Sequence, residues 1–150
     1  MCIRDSNNTC ALFYRGNDKI KETTLCPYEE LTERARLLLE KNPSMKLLIQ
    51  SDETEFIQHC LSTFPNNAFY MQHHMKHVPK NREIPPTYYF ANYNELLLYN
   101  KYFLAILIIM SKCHTIICTS GNCSVWIMYY RGHAHNVCQN LNGQWHVSLH

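Results

Sequence analysis

Short apolar runs of strand character alternate with helical segments along this 150-residue chain, which predicts an α/β domain built on a mainly parallel sheet. Three observations carry that reading. The strand-type runs are almost unbroken in apolar residues, as in strands covered on both faces. The segments between them are long enough to be crossover helices, and such crossovers are right-handed. The breaks fall on clusters of Gly, Pro, Asn and Ser. Together they describe a Rossmann-like three-layer domain, whose ligands sit at the carboxyl ends of the strands.

Residues 9–14 read as the first strand, ended by Arg15, Gly16, Asn17, Asp18 and Lys19. Pro27 opens a helix at its favoured first-turn position, with Glu29 and Glu30 near the positive end of the dipole. That helix runs to about Lys41, burying Leu31, Ala35, Leu38 and Leu39, and Asn42 with Pro43 stops it. Residues 46–51 form a second strand, and a helix over residues 53–63 places Phe56, Ile57, Cys60, Leu61 and Phe64 at helical spacing. Residues 68–71 are a third, short strand, and the proline-containing stretch 72–87 is a loop. A helix over residues 92–111 follows, then a β-branched strand at 115–118. The turn 119–122 leads into a helix over 124–130, with Val125, Met128 and Tyr129 on one stripe, and a last strand is expected near 134–138.

The length fits one domain with a proper core, at 46% hydrophobic and 17% charged residues. Residues 1–6, MCIRDS, look like a translated sequencing adapter, so the domain is expected over residues 7–150, with a preceding domain lost. A net charge of +2 and scattered lysines and arginines give no basis for nucleic-acid binding. The apolar run 102–110 lies between Lys101 and Lys112 and is too short to span a bilayer; it reads as a core helix with no transmembrane role. Setting aside Cys2, seven cysteines remain, most of them inside strand or helix patterns. Cys113, Cys118 and Cys138 read as small buried hydrophobes, and the set as reduced thiols in a cytoplasmic protein.

Three strand ends carry the polar residues that suit one ligand. Arg15 offers a planar fork for a phosphate, Asp18 a partner for Arg15 or Lys19, and Lys19 a second phosphate contact. Ser51, Asp52 and Glu53 end the second strand, where the two carboxylates can accept from a ribose diol or the N–H edge of guanine. Thr119, Ser120, Gly121 and Asn122 join a strand to a helix, so two hydroxyls and a helix N-terminus can meet a diphosphate. Neither a dinucleotide glycine motif nor a P-loop is present.

The same segments, in order, resemble the GDP-fucose-dependent fucosyltransferase superfamily of α-1,2, α-1,6 and protein O-fucosyltransferases. FYRGNDK at 13–19 is similar to the family's H-x-R-x-x-D strand end, IQSDET at 49–54 to its S/T-D-D/E strand end, and IMSKCHTIICTSGN at 109–122 to its L-S-x-x-x-x-h-h-x-T/S-x-S segment. The resemblance implies the nucleotide-binding half of a GT-B glycosyltransferase. It implies inverting, metal-independent transfer of fucose or a similar sugar from a GDP-sugar donor to a glycan or other hydroxyl acceptor, with no cofactor. Arg15 would contact the β-phosphate and stabilise departing GDP as the catalytic residue. Asp52 and Glu53 would face the nucleoside, and Thr119 and Ser120 the diphosphate. The chain departs from the pattern at Phe13 (often histidine), at Ile106 (aspartate in some members) and at Gly121 with Asn122 (usually serine-rich), and no residue presents itself as the general base.

Competing readings are plainer. His73, His74 and His77 lack a Cys or carboxylate at matching spacing, so no metal site is assigned. Cys113, Cys118 and Cys123 recur every five residues, which suits core packing, and Cys123 alone has a helix N-terminus beside it. Tyr88, Tyr89, Phe90 and the aromatics of 99–103 read as core and guanine-pocket walls. The alternative to a transferase domain is a non-catalytic nucleotide-binding or interaction module.

Overall fold

The structure is a computed structural model and describes residues 7–72, 77–80 and 90–148. In chain order these form β1 (Thr9–Tyr14), a 3-10 turn (Asn17–Lys21), α1 (Tyr28–Lys41), β2 (Lys46–Ser51), α2 (Thr54–Thr63), β3 (Ala68–Tyr70), α3 (Tyr93–Ser111), β4 (Thr115–Thr119), α4 (Asn122–Arg131), β5 (Val137–Leu141) and β6 (Gln144–Ser148). The six strands make one sheet in the order β3-β2-β1-β4-β5-β6, parallel throughout except for the β5–β6 pair. This is the α/β, Rossmann-like three-layer architecture that the alternation predicts. The strand order reverses between β1 and β4, which opens a crevice at their carboxyl ends.

Strand alternation divides the core in two. Cys10, Leu12 and Tyr14 of β1 face α1 and α2, packing with Leu31, Ala35, Phe56 and Cys60. Ala11 and Phe13 face α3 and α4, packing with Ile106, Met110, Ile116 and Ile127. Every residue of β1 and β4 is buried, which accounts for their unbroken apolar character. By the same alternation Arg15, next after Tyr14, points to the α3/α4 side.

The structure differs from the sequence reading in several places. The buried pair of α4 is Ser124 and Ile127, whereas Val125 is 65% and Tyr129 73% exposed. The reason is an anchor: Ser124 Oγ donates to the Thr119 carbonyl at 2.6 Å and turns that side of the helix to the sheet. β5 begins three residues later than expected. Arg131 donates to the carbonyls of Ser111, Cys113, His114 and His135, and so holds the preceding segment out of the sheet. β6 was not anticipated; it returns antiparallel through Asn142 and Gly143, whose φ angles of 51° and 85° suit a tight hairpin turn. Cys138 is only partly buried, while Cys113 and Cys118 are fully so.

All seven cysteines among the described residues are free. Among those residues, no helix is long and apolar enough to cross a membrane. Residues 1–6, His73, His74, Tyr88 and Tyr89 lie outside the described set. Leu31 is wholly buried while Leu37, on the same helix, is 44% exposed. Leu31→Ala is therefore expected to cost about 2–5 kcal/mol in urea denaturation, and Leu37→Ala to stay within about 0.5 kcal/mol of the parent.

Candidate functional site at the strand-order reversal

The crevice between β1 and β4 is closed at its base by one bond: the Arg15 N–H donates to Thr119 Oγ1 at 3.0 Å. From that point the Arg15 side chain runs to the α3/α4 side. Its Nη2 reaches Asp18 Oδ1 at 3.4 Å and its Nη1 lies 3.8 Å from the Cys123 thiol, in the first turn of α4. Its Nε sits 3.2 Å from Asp52 Oδ2, close enough for an ion pair but not aligned as a hydrogen bond, and among the described residues neither atom has a hydrogen-bond partner.

The positive end of α4 faces the same place. Gly121 caps the helix with φ 145°, in a region that favours glycine, and no side chain satisfies the first-turn N–H groups. The guanidinium thus lies beside the first turn of α4, so the structure brings Arg15 close to Cys123 and the Gly121–Asn122 turn. Beside it a groove of about 370 Å³ runs between α3 and α4, walled by Phe103, Leu107, Trp126 and Tyr130, with Asn122 and Cys123 at the end nearest the cradle.

The remaining residues of the predicted set serve the frame. Asp52 and Glu53 are buried, and both carboxylates turn inward. Asp52 Oδ1 accepts the Gly16 N–H at 3.0 Å; Glu53 Oε1 accepts the Asn17 N–H at 2.7 Å, and its Oε2 accepts from the Tyr28 hydroxyl. Ser51 Oγ accepts the Glu53 N–H at 3.0 Å. Ser120 Oγ donates to the Asn140 carbonyl and accepts the Asn142 N–H, tying the turn after β4 to the β5–β6 hairpin. Lys19 pairs with Glu22 at 2.5 Å, and Asp18 is the partner of Arg15. His77 places Nδ1 2.8 Å from the Ser51 carbonyl, an acceptor, so that nitrogen carries the proton. Burial holds the His77 imidazole below its ordinary value. Among the described residues no group of three or more His, Cys, Asp or Glu is placed to hold a metal ion.

The electrostatics follow from burial. Burial works against the Arg15 charge, but Asp52, with Cys123, Asp18 and Tyr99, outweighs it and holds the guanidinium above its ordinary value. Burial raises the Asp52 carboxyl, and Arg15 and the Gly16 N–H only partly offset it. Burial also raises the Cys123 thiol despite Arg15 nearby, which keeps it a neutral thiol and a poor nucleophile. The Tyr99 phenol is pushed up to about 12 in the same way.

Asn17 and Tyr28 belong to this cluster although the sequence reading assigns them no site role, and Tyr99, expected among the core and guanine-pocket walls, lies near Arg15. A Gly-Asn pair directly after a buried strand was the available signal for Asn17, whose φ is 38°. No protein-family model and no curated protein matches this chain.

Two outcomes follow. A Cβ on Gly16 would lie 2.1 Å from Glu53 Oε1, so Gly16→Ala is expected to destabilise the fold by about 1–3 kcal/mol, read by urea denaturation. For Asp52 the folded-state value is raised, so its contribution to stability is fully present below the unfolded value of 3.8 and is lost as pH rises through the folded one. Subtracting the pH–stability curve of Asp52→Asn from that of the parent should leave a falling slope above pH 3.8; a rising one would show that the Arg15 pair dominates burial.

Proposed function

We propose that this domain binds the diphosphate of a nucleotide-sugar between Arg15 and the N-terminus of α4, as the donor-binding half of a glycosyltransferase. The observation that carries the reading is a largely buried guanidinium beside a helix end whose glycine cap provides no side chain, at the point where the strand order reverses. An anion there meets the Nη1 edge of the guanidinium and the positive end of a dipole together. The groove between α3 and α4 is where the nucleoside would lie, against Phe103 and Trp126.

The finer assignment, inverting transfer of fucose or a similar sugar from a GDP-sugar to a hydroxyl acceptor, rests on the three ordered sequence segments. In that reaction charge develops on the departing β-phosphate, and Arg15 with the α4 N–H groups would stabilise it without a divalent cation. Asp52 and Glu53 act on the nucleotide indirectly, by shaping the loop that carries Arg15. A binding module without transfer activity is the second reading. It is favoured by the engagement of Asp18, Asp52 and Glu53 in internal contacts, which leaves none of them poised to deprotonate an acceptor.

Thermal or chemical denaturation with nucleotides tests the proposal. GDP at a hundred times its dissociation constant is expected to add about 2.7 kcal/mol, with smaller gains for UDP and ADP at the same concentration. Arg15→Lys keeps the charge but loses the fork, and the GDP gain should largely disappear while the ligand-free protein remains folded. Equal gains for all three nucleotides would remove the guanine preference, and no gain would remove nucleotide binding.

A further inference from the structure

Tyr28 stands on the α1 side of the sheet, away from the face on which the Arg15 guanidinium lies, yet only one residue separates its hydroxyl from the Arg15 loop. The hydroxyl donates to Oε2 of Glu53, and Oε1 of the same carboxylate accepts the Asn17 N–H at 2.7 Å. Glu53 is wholly buried, and it lies so close to Gly16 that no Cβ fits there. Asn17 is held at φ 38°, and its amide donates to the Asp52 carbonyl at 3.2 Å. The Tyr28 ring is itself fixed, edge-on to Tyr14 and Phe56 with centroids 5.1 Å away in each case, and with the Lys80 ammonium 5.0 Å from its centroid.

A carboxylate bound at one oxygen by a hydroxyl and at the other by a backbone N–H is a rigid spacer between the two. Without the hydroxyl, a buried oxygen loses its partner, and the carboxylate gains by rotating toward another donor. Asn17 would then lose one of the bonds that hold it in the left-handed region, and the turn beginning at Gly16 would relax.

We propose that Tyr28 is a positioning residue: through Glu53 it sets the Gly16–Asn17 turn, and so the angle at which Arg15 meets an anion, without touching that anion. The anion half of this inference rests on the nucleotide reading above; the loop half rests on the loop geometry alone.

The test compares the parent with Tyr28→Phe, Glu53→Ala and Glu53→Gln by two measurements. The first is amide hydrogen exchange at Asn17 without ligand, and the second is GDP affinity by calorimetry well below every melting transition. Tyr28→Phe should speed Asn17 exchange relative to the amides of β1 and weaken GDP about tenfold, the order expected for one charge-assisted hydrogen bond. Glu53→Ala should do at least as much. Glu53→Gln should recover the larger part of both losses, because its amide can donate to the Tyr28 oxygen while its carbonyl still accepts from Asn17. Lowered melting with unchanged exchange or unchanged affinity in Tyr28→Phe would overturn the inference. So would Glu53→Gln as damaging as Glu53→Ala, which would show that the two-sided bonding of the spacer is not what sets the turn. If the parent binds no GDP, only the nucleotide reading falls: faster Asn17 exchange in Tyr28→Phe still supports the positioning role, and unchanged exchange overturns it.

Discussion

Two adjacent carboxylates buried at the end of β2 constrain everything around them. A buried carboxylate is tolerated only where donors replace its water, and here they are the Tyr28 hydroxyl and, from the loop after β1, the N–H groups of Gly16 and Asn17, with the Arg15 side chain beside them. Satisfying Asp52 and Glu53 therefore dictates the path of that loop. It demands glycine at 16 and admits a left-handed conformation at 17. Thr119 then ties the Arg15 backbone from the other side. The guanidinium leaves the sheet at a place fixed by both neighbours of β1.

The charge balance of the cradle follows from this. Arg15 already has Asp52 and Asp18 near it, so it is not a bare cation waiting for a partner. Among the described residues, what remains is its Nη1 edge, which faces the weak acceptor of Cys123, and the N–H groups of Asn122 and Cys123 at the start of α4, since that of Ser124 donates to the Gly121 carbonyl. An incoming anion would meet directed donors in a partly dry setting, where such bonds are strongest. The neutral state of Cys123 keeps a competing negative charge out of the same space.

Much of this was legible in the sequence, for identifiable reasons. The β-branched or apolar runs at 9–14, 46–51 and 115–118 carry their fold in their composition, because strands covered on both faces leave no room for polar alternation. The placement of Arg15 and Gly121 at the ends of β1 and β4 was legible because each follows an apolar run directly or within two residues. The inward turn of Asp52 and Glu53 was not, because nothing local distinguishes a carboxylate facing a ligand from one facing a neighbouring backbone. The stripe of α4 was misread because the helix is oriented by the Ser124 hydroxyl, a polar anchor that an apolar pattern does not register. The β5–β6 hairpin was missed although Asn142 and Gly143 are a strong turn signal; β6 is exposed at the sheet edge and lacks the apolar character used to find the other strands.

The bond between Arg15 and Thr119 joins residues 104 positions apart, across the central pairing of the sheet. β1 can pair with β2 across the single α1 crossover, but its partner on the other side, β4, lies beyond α2, β3 and α3 as well. Closing so long a loop is slow, because its entropy is lost before the pairing repays it. The seam between Arg15 and Thr119, where the proposed anion would sit, is thus expected to close late in folding. A molecule held in it would bridge the seam between the early and late parts of the chain, and would slow their separation as well as shift their equilibrium.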